Sequence, residues 1–276
     1  MILVTGATGN VGAEVVRALV AAGEVVRALV RDSAEAQLPA GVEAAVGDLN
    51  RPDSLSAPLA GVRGVFLLPG YGDMPGLVAE MSRAGVEHVV LLSSGAAADG
   101  DMSNAISRYM IVSEASVRES ALDWTILRAS GFMSNALRWL PQLRAGDVVR
   151  APFARVPIAA IDPSDIAAVA AEAFSARAHR GRIYRLTGPE SLLPSEQVRV
   201  LGAVLGRDLR FLAQSDAEAR AEMSRAMPAD YVDAFFNYFA DGAYDDSAVL
   251  PTVQALTGRA PRTFERWATA HADAFR

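Results

Sequence analysis

The nine residues Val4–Gly12, VTGATGNVG, decide how the rest of the chain is read. The apolar run ILV leads into them, and the helix-patterned AEVVRALVAA follows. Gly6, Gly9 and Gly12 therefore fall on a strand-to-helix turn. Glycine lets the backbone turn tightly there, and lets its N–H groups approach a pyrophosphate at a helix N-terminus. Three spaced glycines alone are a weak signal. Between a strand and a helix, inside a βαβ unit of about thirty residues, they point to a dinucleotide-binding loop.

The pattern continues outward from this loop. ILVTG (2–6), VVRALV (25–30), EAAVG (43–47), GVFLLPG (64–70), HVVLLSS (88–94) and WTILRAS (124–130) read as strands. Most are almost wholly apolar, as expected of a parallel sheet covered by helices on both faces. Helical segments are expected near 10–23, 52–59, 73–84, 104–121 and 131–145. Strand–helix alternation of this kind predicts an α/β fold, a Rossmann-like doubly wound parallel sheet. The rhythm then loosens. Pro152 and Pro157 punctuate a loop, Asp162 and Pro163 open a helix, and RIYRL is a further strand. Helices are expected over 194–206, 216–227, 228–240 and 262–274. The division is a nucleotide-binding domain over 1–150 and a small, mostly helical substrate lobe over 151–276, laid across the carboxyl edge of the sheet.

Composition removes several classes of chemistry. With 276 residues, a net charge of −6 and a pI near 5.2, the chain lacks the basic surface that nucleic acid requires. It has no cysteine, so thiol nucleophiles, disulfides and cysteine-ligated metals are excluded. Its apolar runs are too short to span a bilayer, and the strand-like start leaves no room for a signal peptide. The expectation is a cytoplasmic protein without membrane or nucleic-acid partners, a monomer or homodimer. All 26 basic residues are arginine. A guanidinium is never deprotonated in proteins, so lysine chemistry is unavailable anywhere in the chain.

The second strand ends in ALVRDS. An acid at this point favours a free ribose 2′-hydroxyl, and an arginine favours a 2′-phosphate. Arg31 precedes Asp32, and its bidentate fork suits a phosphate, so NADP(H) is favoured over NAD(H). In GDLNRPDSL, Asp48 is placed to accept from an adenine amino group, with Leu49 beside the ring.

Together TGATGNVG, VRALVRD, GDLNRPDSL, VFLLPG, HVVLLSS, LDWTILRASGFMSN and LTGRAPRTFERWA resemble the NmrA-like group of atypical short-chain dehydrogenase/reductases. The resemblance spans nearly the whole chain. It implies a nicotinamide-cofactor domain with a small substrate lobe, in a family of quinone and dye reductases, isoflavone-reductase relatives and non-catalytic redox-sensing regulators. Carried onto this sequence, it places Gly6, Thr8, Gly9, Asn10 and Val11 around the pyrophosphate. Arg31 reaches the 2′ end, and Asp48 with Leu49 the adenine. Leu68, Pro69 and Gly70 flank the nicotinamide ribose, Ser93 and Ser94 lie beside the nicotinamide, and Gly131 joins the cofactor contacts. Ser130 to Met133, after the sixth strand, line the substrate side.

One departure stands out in SRYMIVSE, 107–114. Counted back from the DWTIL strand, family reductases often carry lysine or histidine where Met110 stands. The short-chain alternative, a tyrosine followed four residues later by lysine, would place that lysine at Ser113. Tyr109 and Ser94 are the remaining catalytic candidates. His88, His179 and His271 read as structural or solvated, and no metal-ligand spacing occurs.

A missing acid matters least when the acceptor is conjugated. Its reduction leaves charge on a weakly basic, delocalised product, whereas a simple ketone gives a strongly basic alkoxide. The aromatic content fits a flat apolar pocket. YVDAFFNYF supplies Phe235, Phe236, Tyr238 and Phe239, to which Tyr71, Phe132, Met133, Trp139 and Phe153 can be added. The principal expectation is an NAD(P)H-dependent reductase of a quinone-like or other conjugated small aromatic molecule. A metal-free oxygenase of a hydroquinone or anthrone and a non-catalytic redox sensor are the alternatives.

Overall fold

The computed structural model describes residues 1–32 and 37–275. Seven strands form one parallel sheet: β1 (Ile2–Val4), β2 (Val26–Val30), β3 (Glu43–Val46), β4 (Gly64–Leu67), β5 (His88–Ser94), β6 (Asp123–Ala129) and β8 (Arg182–Leu186). Their order is β3-β2-β1-β4-β5-β6-β8. The chain moves outward one way through β2 and β3, then returns past β1 to β4. The carboxyl ends of β1 and β4 therefore border the crevice where such sheets bind ligands.

The side-chain period of two sorts the apolar strands into two cores. Ile2, Val4, Phe66, Val90 and Leu92 face α1 (Gly12–Ala21) and α5 (Pro163–Ser175). Leu3, Val65, Leu67, Val89 and Leu91 face α2 (Met74–Arg83) and the end of α3 (Ala105–Arg118). Residues on both sides of position 150 build this sandwich, since β8 pairs with β6 and α5 packs against α1.

Local signals account for the helix starts. Asp73, Asn104 and Asp162 accept backbone N–H groups as N-caps of α2, α3 and α5, and proline follows near the start of α2 and α5. Two expected helices are modified. Residues 52–59 hold only a 3-10 turn, Pro52–Leu55, and 131–145 divides into a 3-10 helix, Met133–Trp139, and α4 (Leu140–Ala145).

The C-terminal part contributes to a second, two-stranded parallel sheet that the sequence did not announce: β7 (Val148–Ala151) against β9 (Arg210–Ala213). Four-residue strands are too short for alternation to register. α6 (Pro194–Leu205) packs on β9 and α10 (Phe264–Ala270) packs on α6; α7 (Asp216–Met223) and α8 (Ala229–Phe239) share a small cluster, and α9 (Thr252–Thr257) packs back on α5 and β8. Trp267 and Phe264, each 1% exposed, centre the lobe's own core with Leu143, Val149 and Leu201. Truncating either ring to alanine would cost about 3–5 kcal/mol. Among the described residues no helix is long and apolar enough to cross a membrane.

Candidate active site

The glycine loop has the geometry a dinucleotide needs. Gly6 has φ +60°, and a Cβ there would run into the Leu68 side chain. The Gly9 N–H closes the turn on the Gly6 carbonyl at 2.9 Å. A Cβ on Gly12 would fall on that same carbonyl, so loop and helix can meet only through glycine. Helix α1 opens at Val11 without a side-chain cap. Its N-terminal N–H groups and the positive end of its dipole are thus available to an anion, which fits a pyrophosphate. Thr8, Gly9 and Asn10 are exposed along this edge, and the first two border a cavity of about 190 Å³ shared with Asn10, Ser134, Asp162 and Trp267. The Leu68 N–H donates to Thr5 Oγ1 at 3.0 Å, tying β4 to β1 across the crevice.

Arg31 and Asp32, expected at the adenosine end, follow β2 and are exposed. Asp48 Oδ1 accepts the Asn50 N–H at 2.9 Å, while Leu49 is turned into the core at 8% exposure. Tyr71 is partly buried against the core facing α2 and α3, within electrostatic reach of Asp48 and Arg31. Burial raises its phenol pKa first, the Asp48 carboxylate adds to the rise, and Arg31 opposes it.

Tyr109 packs on Gly70, the φ +89° residue after β4 that directly precedes Tyr71. The Gly70 N–H donates to Ser113 Oγ at 3.0 Å, and the Ser113 hydroxyl donates to the Tyr109 carbonyl at 2.7 Å. Ser113 is fully buried, so this position, where a lysine was sought, is a peg between α3 and the β4 loop. Tyr109 has its pKa pushed up to about 12 by burial, with Tyr231 and Tyr238 adding to the effect. It is a neutral phenol and a poor acid.

Ser93 and Ser94 face opposite ways, as adjacent strand residues must. The Ser93 hydroxyl faces α3 and donates to Glu114 Oε1 at 2.6 Å. Glu114 in turn takes a two-point ion pair from Arg128, Nε to Oε1 at 2.9 Å and Nη2 to Oε2 at 2.7 Å. That buried pair was missed in the sequence, where an acid in an amphipathic helix and an arginine in a strand give no hint of each other. Ser94 caps the Gly95–Ala97 turn by accepting the Ala96 N–H. Close by lie Tyr244, Asp246 and Arg185, also unanticipated because AYDDS carries no periodicity and RIYRL reads simply as a strand. After β6, the Ser130 hydroxyl is 3% exposed with no partner among the described residues, and the Gly131 N–H is bound by Asp246 Oδ2 at 2.8 Å. Ser130 therefore offers a spare buried polar group, which suits a nicotinamide amide.

The aromatic set is divided by α8. Tyr231 and Tyr238 face α3: the Tyr231 ring lies 6.2 Å from that of Tyr109, and the Tyr238 hydroxyl meets Ser107 Oγ at 2.5 Å. Asn104 Nδ2 fastens the two helices by donating to Ala234 O and Asn237 Oδ1. Phe236 instead packs with Phe153 and lies under the Arg220 guanidinium, while Phe239 touches Phe153, Phe235 and Tyr238. Met133 and Trp139 sit in the lobe core around Trp267, and Phe132 packs on the core facing α1. Of the expected lining residues, the structure thus brings Tyr238 toward Tyr109 and commits Met133, Trp139 and Phe236 to packing.

The NAD(P)H-binding family profile matches residues 6–177, which carry the glycine loop and strands β2 to β6. The chain belongs to that family. Its NmrA-like resemblance accords with the Escherichia coli NADPH-dependent quinone oxidoreductase QOR2, whose structure in complex with NADPH superposes with TM-score 0.80 at 25% identity, covering 98% of this chain and 99% of that one. A (4-alkanoyl-5-oxo-2,5-dihydrofuran-3-yl)methyl phosphate reductase of Streptomyces griseus is 40% identical over 282 residues, spanning 100% of this chain and 99% of the relative. An NAD(P)H azoreductase of Xenophilus azovorans is 39% identical over 284 residues, again 100% and 99%. At this level the NAD(P)H-binding protein is an oxidoreductase.

Proposed function

We propose that this family member is an NADPH-dependent reductase of a conjugated small-molecule acceptor, quinone-like or otherwise extended and flat. The bound reduced nicotinamide supplies a hydride; the chain supplies binding, orientation and exclusion of water. The glycine loop and α1 would hold the pyrophosphate, Arg31 a 2′-phosphate, and Ser130 the nicotinamide amide.

The observation that carries this reading is the state of Tyr109. No cation stands at Met110 or Ser113 to lower its pKa, and burial holds it near 12. A site without a ready acid favours acceptors whose reduced form is weakly basic. The two full-length relatives agree in kind, one acting on an azo compound and the other on a ring whose double bond adjoins carbonyl groups, as their names state. Arg31, exposed at the end of β2, supports NADPH over NADH.

The test is NADPH oxidation under anaerobic conditions with menadione, an azo dye and cyclohexanone as acceptors. The first two are expected to turn over and cyclohexanone to be spared. Equal rates on the quinone and the simple ketone would remove the reading. Incorporation of oxygen from O₂ into product under air would instead assign an oxygenase.

A further inference from the structure

The apolar face of α8 is open where it should be most covered. At 100° per residue, its apolar side chains spread over about 200° of the helix. On one edge Ala234 and Tyr238 are buried against α3, where Asn104 Nδ2 donates to the Ala234 carbonyl at 3.2 Å and Tyr238 meets Ser107. On the other edge Val232 and Phe236 are buried with Ala219 of α7 and with Phe153. Counted from Tyr231, Phe235 and Phe239 follow at about 40° and 80°, so these three rings lie between the two edges. All three are only half-buried. A surface helix turns the centre of its apolar stripe to the core, and here that order is inverted. The result is a trough along α8, walled on both sides by the chain itself.

Its shape decides what fits. At one end the Tyr231 ring stands 6.2 Å from the Tyr109 ring, which carries the trough to the loop after β4 at the carboxyl edge of the sheet. Further along, the Phe235 and Phe239 rings are 6.2 Å apart and only 26° from parallel. Phe153 stands at the far end, 5.3 Å from Phe239. The eight residues from Tyr231 to Phe239 span about 12 Å at 1.5 Å per residue, the length of three fused rings. A partner helix would have to set its ridges into the rows on either side of this stripe, and α3 and Phe153 already occupy them. A planar slab needs only the central strip, and gains from contact with ring faces and edges.

We propose that this trough receives the distal rings of a fused polycyclic acceptor, two or three rings long, whose reacting ring lies against Tyr109. Tyr231, outside the set of lining residues expected from the sequence, is the wall at the entry, and Phe239 reads the length at the far end. This rests on the reductase reading above and narrows its acceptor class.

The test uses 1,4-benzoquinone, 1,4-naphthoquinone and 1,4-anthraquinone, a linear series that lengthens only away from the reacting ring. Each variant is compared with wild type on the same quinone, which cancels the quinones' own reactivities. Leucine replaces the rings, so apolar bulk is kept and the flat face is lost. Phe239→Leu should lower kcat/KM about tenfold more for anthraquinone than for benzoquinone, with naphthoquinone following benzoquinone. Tyr231→Leu should set naphthoquinone and anthraquinone alike apart from benzoquinone. A second readout needs no turnover. The NADP⁺ complex should bind 9-anthracenemethanol, a fluorescent three-ring compound that takes no hydride, and Phe239→Leu should raise its Kd about tenfold. Equal losses on all three quinones in both variants would make these rings packing residues and overturn the proposal. So would wild-type protein that reduces quinones without binding 9-anthracenemethanol. A dimer that Phe235→Glu dissociates, with selectivity for ring number intact, would put a second copy in the trough instead. Binding of 9-anthracenemethanol that weakens in Phe239→Leu, with no quinone reduced, would sink the reductase reading and leave the trough assignment standing.

Discussion

Tyr109 lies in close contact with Gly70: a Cβ on Gly70 would stand 3.1 Å from Tyr109 Cδ2, in a residue with φ +89°. The contact joins the loop after β4 to α3, and the Ser113 hydroxyl fastens the same junction. Gly70→Ala should therefore lose about 1–3 kcal/mol of stability from backbone strain. It should also move the Tyr109 ring and weaken NADPH binding. Urea denaturation and a fluorescence titration check the two effects. An unchanged midpoint would show that the loop does not need its left-handed backbone.

Glu114 and Arg128 form the buried pair beneath Ser93, with side chains 4% and 18% exposed. Removing one partner leaves an unanswered charge, which costs about 3–5 kcal/mol when burial is complete. Arg128 retains some solvent, so Glu114→Ala should cost about 3 kcal/mol. The double variant Glu114→Leu/Arg128→Met should recover most of the loss, returning to within about 1 kcal/mol of wild type. Chemical denaturation of the three proteins measures this. If the single and double variants are equally unstable, the pair's role is packing and not charge.

The unequal legibility of the molecule has a physical origin. Strands β1, β4 and β5 are apolar on both faces because helices cover both, and this continuous apolarity is visible in one dimension. Gly6 and Gly12 were legible because close backbone approach admits one residue type. The site beyond the loop depends on contacts between distant segments. Ser94 meets Tyr244, Ser93 meets Glu114, and Gly131 meets Asp246, across 150, 21 and 115 positions respectively for the first, second and third pairs. No local pattern encodes such meetings. Aromatic content likewise predicted a lining but not its division, because the face each ring takes on α8 is set by what α3 and α7 present to it.

His88 opens β5 with its ring 4% exposed, Nε2 3.0 Å from Thr125 Oγ1 and an edge contact to Phe174. Burial lowers its pKa from 6.5 to about 4, and the nearby Arg180 guanidinium adds to the fall. The folded state thus prefers the neutral ring. Its contribution to stability is fully present above about 6.5 and is lost as pH falls toward 4, since the unfolded chain takes up the proton first. The gap corresponds to about 3 kcal/mol. His88→Gln should be less stable than wild type at neutral pH and should have a flatter stability profile between these limits. Thermal melts across that range give the comparison. Parallel profiles for the two proteins would mean that His88 is not the group responsible.

Arg31 sits at the end of β2 with its side chain exposed, where a 2′-phosphate would arrive. Arg31→Ala should raise the Kd for NADPH about tenfold, or 1.4 kcal/mol, and leave NADH nearly unchanged. The NADPH difference should shrink as salt rises, because an exposed guanidinium–phosphate contact is screened. Titrating both cofactors against wild type and variant at low and physiological ionic strength separates this from general damage to the site. Equal weakening of NADPH and NADH would move Arg31 from the phosphate to the adenine face, since stacking there is common to both cofactors.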